Sequence, residues 1–395
     1  VKEELDTLLA SYGVEMDGVS VMLPNVSPDE GLSASYNSVF TLFGQFFDHG
    51  LDLVAKGGNG TIYMPLSPDD PLYNPDSPNT NFMVLTRATT DDAAGNVTTP
   101  WVDQNQTYTS HPSHQVFLRE YAMVDGRPVA TGNLLDGERG LPTWADIKAQ
   151  ARTLLGIELT DKDVGAVPLV AVDPYGEFLR GENELPQLIT GFDGAGNPIL
   201  TEGDLANPVD PSEVGAGRAG VAFLDDINRE AVPVLSVDGE LQPDDDSEPG
   251  YSGEFGARGE QTSYDNELLD AHYITGDGRG NENIGLTSIH HIFHSEHNRL
   301  VKQVKEVALE SGDLDFLNQW LSGPELTSWP SSSEIEALSW DGERIFQAAR
   351  FTTEMEYQHL VFEEFARKIQ PDIDIFMVQP DAALNSVGPS SRKDP

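Results

Sequence analysis

His49 and Gln45 are the first residues whose types and spacing suggest chemistry. On a helical wheel drawn at about 100° per residue, the segment Phe40–Val54 carries an apolar stripe of Leu42, Phe46 and Leu53. His49 falls inside that stripe, Gln45 lies one turn back at its edge, and Asp48 and Asp52 sit to one side. An imidazole directed inward is either a core histidine satisfied by a neighbouring aspartate or a neutral base placed to move a proton near neutral pH. The helix alone leaves both readings open.

A second group is the polar, glycine-rich run Gly276-Asp277-Gly278-Arg279-Gly280-Asn281-Glu282-Asn283, which feeds a helix beginning near Leu286. Glycines let backbone approach another group closely, and Arg279 and Glu282, three residues apart, can face a common ligand. A surface turn accounts for the same residues. On the helix that follows, Leu286, Ile289, Phe293, Leu300 and Val304 form an apolar stripe. His297 lies within it, His290 at its edge, His294 on the flank and His291 on the opposite face. Histidines three and four apart suggest metal, yet these four do not all converge, and helix packing with capping contacts is the competing reading. No metal ligand is assigned. Glu356 and His359 have the i, i+3 spacing of di-iron bundles, which need a second such motif and two further glutamates. The second motif is missing, so a metal site built from His290, His294, Glu356 and His359 stands as a minor third reading.

These residues depend on the elements that carry them. The chain reads as a single domain over 1–395, with a helical segment at 31–54, a loop-rich region at 55–260, a helical core at 261–376 and a frayed polar tail at 377–395. Within it, Val1–Gly13 is expected to be a short helix, Trp144–Leu155 a helix, and Phe82–Leu85 and Pro168–Val172 strands. Leu286–Ser311, Asp313–Ser322 and Asp341–Ile369 are expected helices, the last with Asp341 as its N-cap. Runs such as Asp193–Asn197 read as turns, and the acidic stretch Gln242–Gly250 as a solvated loop. The fold class expected is mainly α with long irregular insertions and few short β-strands.

Composition narrows the function. With 23 Lys and Arg against 66 Asp and Glu, the formal charge is −43, and such a surface repels phosphate, which excludes nucleic acid as a partner. No run approaches the roughly 20 apolar residues of a membrane-spanning helix. The absence of cysteine excludes disulfides, thiolate metal sites and cysteine nucleophiles. The sequence begins at Val1, from which either a processed leader or a fragment is expected.

Taken together, the segments resemble the peroxidase–cyclooxygenase superfamily, the animal-type haem peroxidases, and within it the large secreted bacterial members. Phe40-Thr41-Leu42-Phe43-Gly44-Gln45-Phe46-Phe47-Asp48-His49-Gly50-Leu51-Asp52 is similar to the family's distal-helix motif. The arginine loop Gly276–Glu282, the run Glu296-His297-Asn298-Arg299-Leu300 and Trp340-Asp341-Gly342-Glu343-Arg344 follow in the family's order. These motifs fall within Gly31–Val54 and Gln261–Ile369, roughly a third of the chain. The resemblance implies a peroxidase-like helical core, with His49 as distal histidine, Gln45 as its amide neighbour and Arg279 as catalytic arginine. It also implies haem b as cofactor, with Asp48 and Glu282 as the carboxylates able to form ester bonds to haem methyl groups. The partners implied are hydrogen peroxide and a small reducing substrate.

Two departures from the family pattern carry expectations. Gly50 stands where many members have aspartate, and Thr109–Gln115 replaces the usual loop, with Ser113 where a carboxylate would help. Since divalent cations prefer charged oxygen ligands, no strong calcium site is expected there. The family's proximal iron-ligating histidine lies beyond the helix ending near Ile369, whereas the last histidine here is His359. The chain is therefore expected to be a fragment, to take its proximal ligand from a second chain, or to be an incomplete, non-catalytic peroxidase scaffold. The acidic, cysteine-free composition together with the resemblance implies a secreted, extracellular bacterial protein.

Overall fold

A computed structural model describes residues 21–22, 36–53, 56–70, 73–76, 81–88, 96, 98–99, 101–225, 235–236, 239–240, 242–250 and 263–369. The expected helix Val1–Gly13 and the tail 377–395 lie outside the described residues. The chain divides into two units, Val1–Ser38 with Leu51–Pro100, and Val39–Gly50 with Trp101–Pro395.

The first unit holds a three-stranded sheet. Strand β1 (Val21–Met22) runs parallel to β2 (Lys56–Pro65), and β2 runs antiparallel to β3 (Phe82–Ala88), with Ile62 opposite Leu85 and Met64 opposite Met83. The run Phe82–Leu85 is thus a strand, as its apolar residues predict.

The second unit is dominated by helices: α1 (Ser38–His49, all but its first residue in this unit), the short α2 (Asn105–Tyr108) and α3 (Pro112–Leu118), then α4 (Trp144–Gln150), α5 (Asn266–Ala271), and the two long helices α6 (Ile284–Glu310) and α7 (Gly342–His359). Two antiparallel hairpins, β4 (Arg119–Val124) with β5 (Arg127–Leu134) and β6 (Gln187–Phe192) with β7 (Pro198–Glu202), supply its larger sheets. The turn Asp193–Asn197 joins β6 to β7, with Asp193 Oδ1 accepting from the Ala195 and Asn197 amides. Pro168–Val172 forms isolated bridges, Val170 with Leu188 and Val172 with Phe178, and no continuous strand. The molecule is mainly α, as expected.

Helix boundaries follow local chemistry. Asp341 caps α7 by accepting the Arg344 amide, and Thr143 forms a capping box with Asp146 on α4. The expected helix to Leu155 continues past Gln150 as a π-helical turn, Ala151–Leu155, and α7 likewise passes into a π-helical turn, Leu360–Ala366. The largest departure is α1, which ends at His49, five residues before the expected Val54. Gly50 turns back on Phe47, its carbonyl is taken by Asn105 Nδ2 at 2.8 Å, and a Cβ there would meet the Gln106 side chain at 2.6 Å. Close approach of α2 stops the helix, so Asp52 and Leu53 lie off it and outside its stripe.

Helices α6 and α7 pack against each other and against β5. Their far ends share Leu300, Val301, Ile345 and Ala349. At the other end Phe46 of α1 joins Leu286, Ile289, Phe293, Tyr357 and Val361 in a second buried cluster, with Phe46 stacked on Phe293 at 5.0 Å. That cluster seats α1 on the beginning of α6.

Candidate active site

The end of α1 meets the loop 276–283 and the first turn of α6. His49 is 5% exposed. Its Nε2 lies 3.4 Å from Glu282 Oε2, and its Nδ1, buried without a hydrogen bond, lies 4.0 Å from Asp277 Oδ1. Gln45 Nε2 donates to Glu282 Oε2 at 2.7 Å. Asn283 Nδ2 donates to Gln45 Oε1 at 2.9 Å, while Asn283 Oδ1 caps α6 by accepting the Leu286 amide at 2.9 Å. One asparagine therefore fixes both the start of α6 and the orientation of the Gln45 amide.

Arg279 is held on three sides. Its Nε and Nη2 donate to the two oxygens of Asp277 at 2.9 and 2.7 Å, and its backbone amide to Oδ1 at 2.8 Å. Nη2 also donates to the His49 carbonyl at 2.9 Å. Burial opposes charge on both partners. Their mutual hydrogen bonds and attraction prevail, holding the Asp277 pKa below the usual carboxylate range and raising that of Arg279. The loop reaches this position because it presses on backbone: a Cβ at Gly276 would lie 2.5 Å from Thr107 C and 2.6 Å from Thr109 N.

The opposing segment is itself strained. Val102, Gln104 and Thr109 have positive φ, each costing on the order of 1–3 kcal/mol. Side-chain bonds from α2 to the distal end of α1 hold it in place, Asn105 to Gly50 and Gln106 Nε2 to the Phe46 carbonyl at 2.9 Å.

The structure thus brings together His49, Gln45, Arg279 and Glu282, from segments more than 200 residues apart. Asp48 is exposed on α1 and stands outside this bonded group. Sequence reasoning assigned no role to Asp277, Asn283 or Gln106, and read His290 only as a packing residue or a minor metal-ligand candidate. Asp277 was visible in the glycine loop, but its function as carboxylate clamp depends on Arg279 folding back over it. His290 packs edge-on to Phe46 at 4.9 Å. Burial pushes its pKa down to about 4, with Asp277 opposing. His114, edge-on to Phe223, is pushed down to about 3 by burial. Both imidazoles are neutral at ordinary pH.

The remaining histidines of α6 act as packing and capping groups. His297 is bonded to Tyr108 and Gly132, and His294 Nε2 to Asp136 Oδ1 at 2.8 Å. Asn298 takes both backbone groups of Leu134, extending the edge of β5. Glu356 lies against Glu296 and Arg299, and among the described residues His290, His294, Glu356 and His359 form no metal cluster. Asp244, Asp246 and Glu267 do come close enough to share an ion, with no second feature pointing to a ligand. Ser113 and Gly50, the two departures from the family pattern, have separate surroundings. Ser113 Oγ is engaged with the backbone of Val170, and Asn105 and Gln106 face Gly50.

The chain was compared with known families. Residues 236–381 match the family model for animal haem peroxidase. Over that segment the chain is similar to the peroxidase–cyclooxygenase superfamily. No curated protein matches the chain. The matched segment contains Arg279 and Glu282, and the fold adds His49 and Gln45 from outside it. Haem is the cofactor this family implies. The donor set fits one face of such a group: an imidazole whose Nδ1 is a buried orphan, a fixed guanidinium, an amide and a carboxylate at one spot. Among the described residues no helix is long and apolar enough to cross a membrane.

Proposed function

We propose that this chain carries the distal half of a haem peroxidase site, oxidising small donors at the expense of hydrogen peroxide. The observation that supports it is the convergence of buried His49 and Arg279 with Gln45 and the solvent-edge carboxylate of Glu282 at the end of α1. Bound haem would supply the iron at which peroxide is reduced. His49 Nε2 takes the proton from the nearer peroxide oxygen and returns it to the departing one, a transfer suited to an imidazole. Asp277, 4.0 Å from Nδ1, offsets the positive charge on the ring between those two events. Arg279 stabilises the charge developing on the departing oxygen, and Gln45, clamped by Asn283, orients Glu282 beside His49. Glu282 and Asp48 are the carboxylates proposed to form haem esters. The proximal ligand, on this reading, comes from a polypeptide segment outside the sequence in hand or from a second chain. The acidic surface suits an exported bacterial protein, and it favours cationic and neutral phenolic donors over anionic ones.

The test is haem titration of the full chain together with the polypeptide that supplies the proximal histidine. A Soret band and peroxide-dependent oxidation of a phenol are expected, and His49→Ala should slow the peroxide reaction by about 10²–10⁴-fold. Haem never retained under these conditions argues for the second reading, a non-catalytic scaffold.

A further inference from the structure

Tyr108 and His297 form a pair that the proposed peroxide chemistry does not use. Both are fully buried, and the Tyr108 hydroxyl lies 2.9 Å from His297 Nδ1. The other ring nitrogen, Nε2, is 3.0 Å from the Gly132 carbonyl. A carbonyl only accepts, so Nε2 carries the hydrogen, Nδ1 the lone pair, and the Tyr108 hydroxyl is the donor. Burial keeps the imidazole neutral, its pKa pushed down to about 3, and raises that of the phenol. The phenolic proton therefore points at a free base in a dry interior.

The other buried tyrosines are arranged differently. Tyr357 accepts from Gln106 Nε2, the Tyr121 hydroxyl has no partner, and Tyr264 donates to the half-buried carboxylate of Asp161. Among the described residues, Tyr108 is the buried tyrosine set against a neutral imidazole. It is also wired to the candidate site. In α2 it follows Asn105 and Gln106, which bind the end of α1. Along α6, His290, Phe293 and His297 succeed one another at spacings of three and four, a span of about 10 Å, and Phe46 of α1 contacts the first two rings.

We propose that Tyr108 is a redox-active tyrosine with His297 as its proton acceptor. A strong one-electron oxidant removes an electron from the Tyr108 ring as the hydroxyl proton moves to His297 Nδ1, leaving a neutral phenoxyl radical and an imidazolium. An electron from a small reducing donor then restores the phenolate oxygen, and the proton returns from Nδ1, so the pair is regenerated with no net proton change. Arg350, whose guanidinium lies 5.2 Å from the Tyr108 ring centre, is paired with Glu354 at 2.7 Å, so in this dry interior the charge of an oxidised ring is relieved by moving the hydroxyl proton to His297. Service as a relay for peroxide-derived oxidising equivalents rests on the peroxidase reading; the redox competence of the pair does not.

The test therefore uses the full chain without haem, oxidised by photogenerated ruthenium(III) polypyridyl and examined by freeze-quench electron paramagnetic resonance. A tyrosyl signal is expected that disappears in Tyr108→Phe and persists in Tyr175→Phe. His297→Gln retains an acceptor for the hydroxyl without a base, and should lower the yield of that signal by about 10²-fold, the low end of what a positioned base contributes. A signal unchanged by Tyr108→Phe, or a wild-type yield in His297→Gln, overturns the proposal. If His297→Gln does not fold, double resonance on the wild-type radical decides: an exchangeable proton hydrogen-bonded to the phenoxyl oxygen is required, and its absence overturns the pair. A chain that gives this signal yet never retains haem refutes the peroxidase reading alone.

Discussion

Arg279 Nη2 donates to the backbone carbonyl of His49 at 2.9 Å, joining residues 230 positions apart. The bond does two things at once. It satisfies a carbonyl orphaned at the end of α1, and it places a cation where the helix dipole is negative. Because the same guanidinium is forked onto Asp277, the imidazole-bearing helix end and the arginine loop form one rigid assembly.

Replacing Arg279 separates charge from geometry. Arg279→Lys keeps the charge and loses the fork, so stability should fall by about 1–3 kcal/mol. Arg279→Met leaves the Asp277 carboxylate buried and uncompensated, with an expected loss of about 3–5 kcal/mol. Urea unfolding of the full chain, with an unchanged m value, measures both. In the holoprotein, Arg279→Lys should also slow the peroxide reaction by about 10²-fold, as loss of a positioned charge stabiliser does.

Acid stability follows from the buried imidazoles. His114, His290 and His297 are depressed to about 3, 4 and 3 from 6.5, chiefly by burial. The unfolded chain then binds more protons than the folded one between pH 6.5 and those values. Stability is thus complete above about pH 6.5 and lost as pH falls through the window, by at most about 1.4 kcal/mol per unit for each group. His114→Phe, a ring replacement beside Phe223 that removes two unbonded nitrogens, should flatten this slope. Its stability gain over wild type should be larger at pH 5 than at pH 7.5; an equal gain at both contradicts the assignment.

The sequence displayed the carriers of this site more clearly than their connections. His49 and Gln45 were legible because 3.6-residue periodicity places them against Phe46. The N-cap Asp341 and the long helices α6 and α7 were legible for the same local reasons. Where α1 ends was not, because the cause is the non-local approach of Gln106 to Gly50. Asp277 and Asn283 looked like ordinary loop residues, since their roles arise only when a distant helix supplies the His49 carbonyl and the Gln45 amide.

Asn283 offers a mild perturbation of the same assembly. Asn283→Asp retains the cap acceptor but loses the amide donor to Gln45, whereas Asn283→Ala loses both. The alanine variant should lose about 1 kcal/mol as a missing cap does, and the aspartate variant less. If the Gln45 contact positions Glu282, both should impair peroxide reduction despite their different stabilities. Thermal melts paired with stopped-flow traces separate the two effects.

Glu282 and Asp48 are set apart by their surroundings, and that difference predicts which of them anchors haem more firmly. Glu282 is held beside His49 and Gln45 by short contacts, so its carboxylate is already oriented toward the site. Asp48 is exposed and must give up rotamer freedom before it can react. Glu282→Gln preserves an oxygen acceptor for Gln45 Nε2 and removes the nucleophilic carboxylate. After peroxide treatment of the reconstituted protein, acid–organic extraction should therefore release more haem from Glu282→Gln than from Asp48→Asn, and most from the double variant. Equal release from the two single variants shows that pre-orientation by Gln45 does not govern the linkage, and full retention in the double variant removes both residues from it.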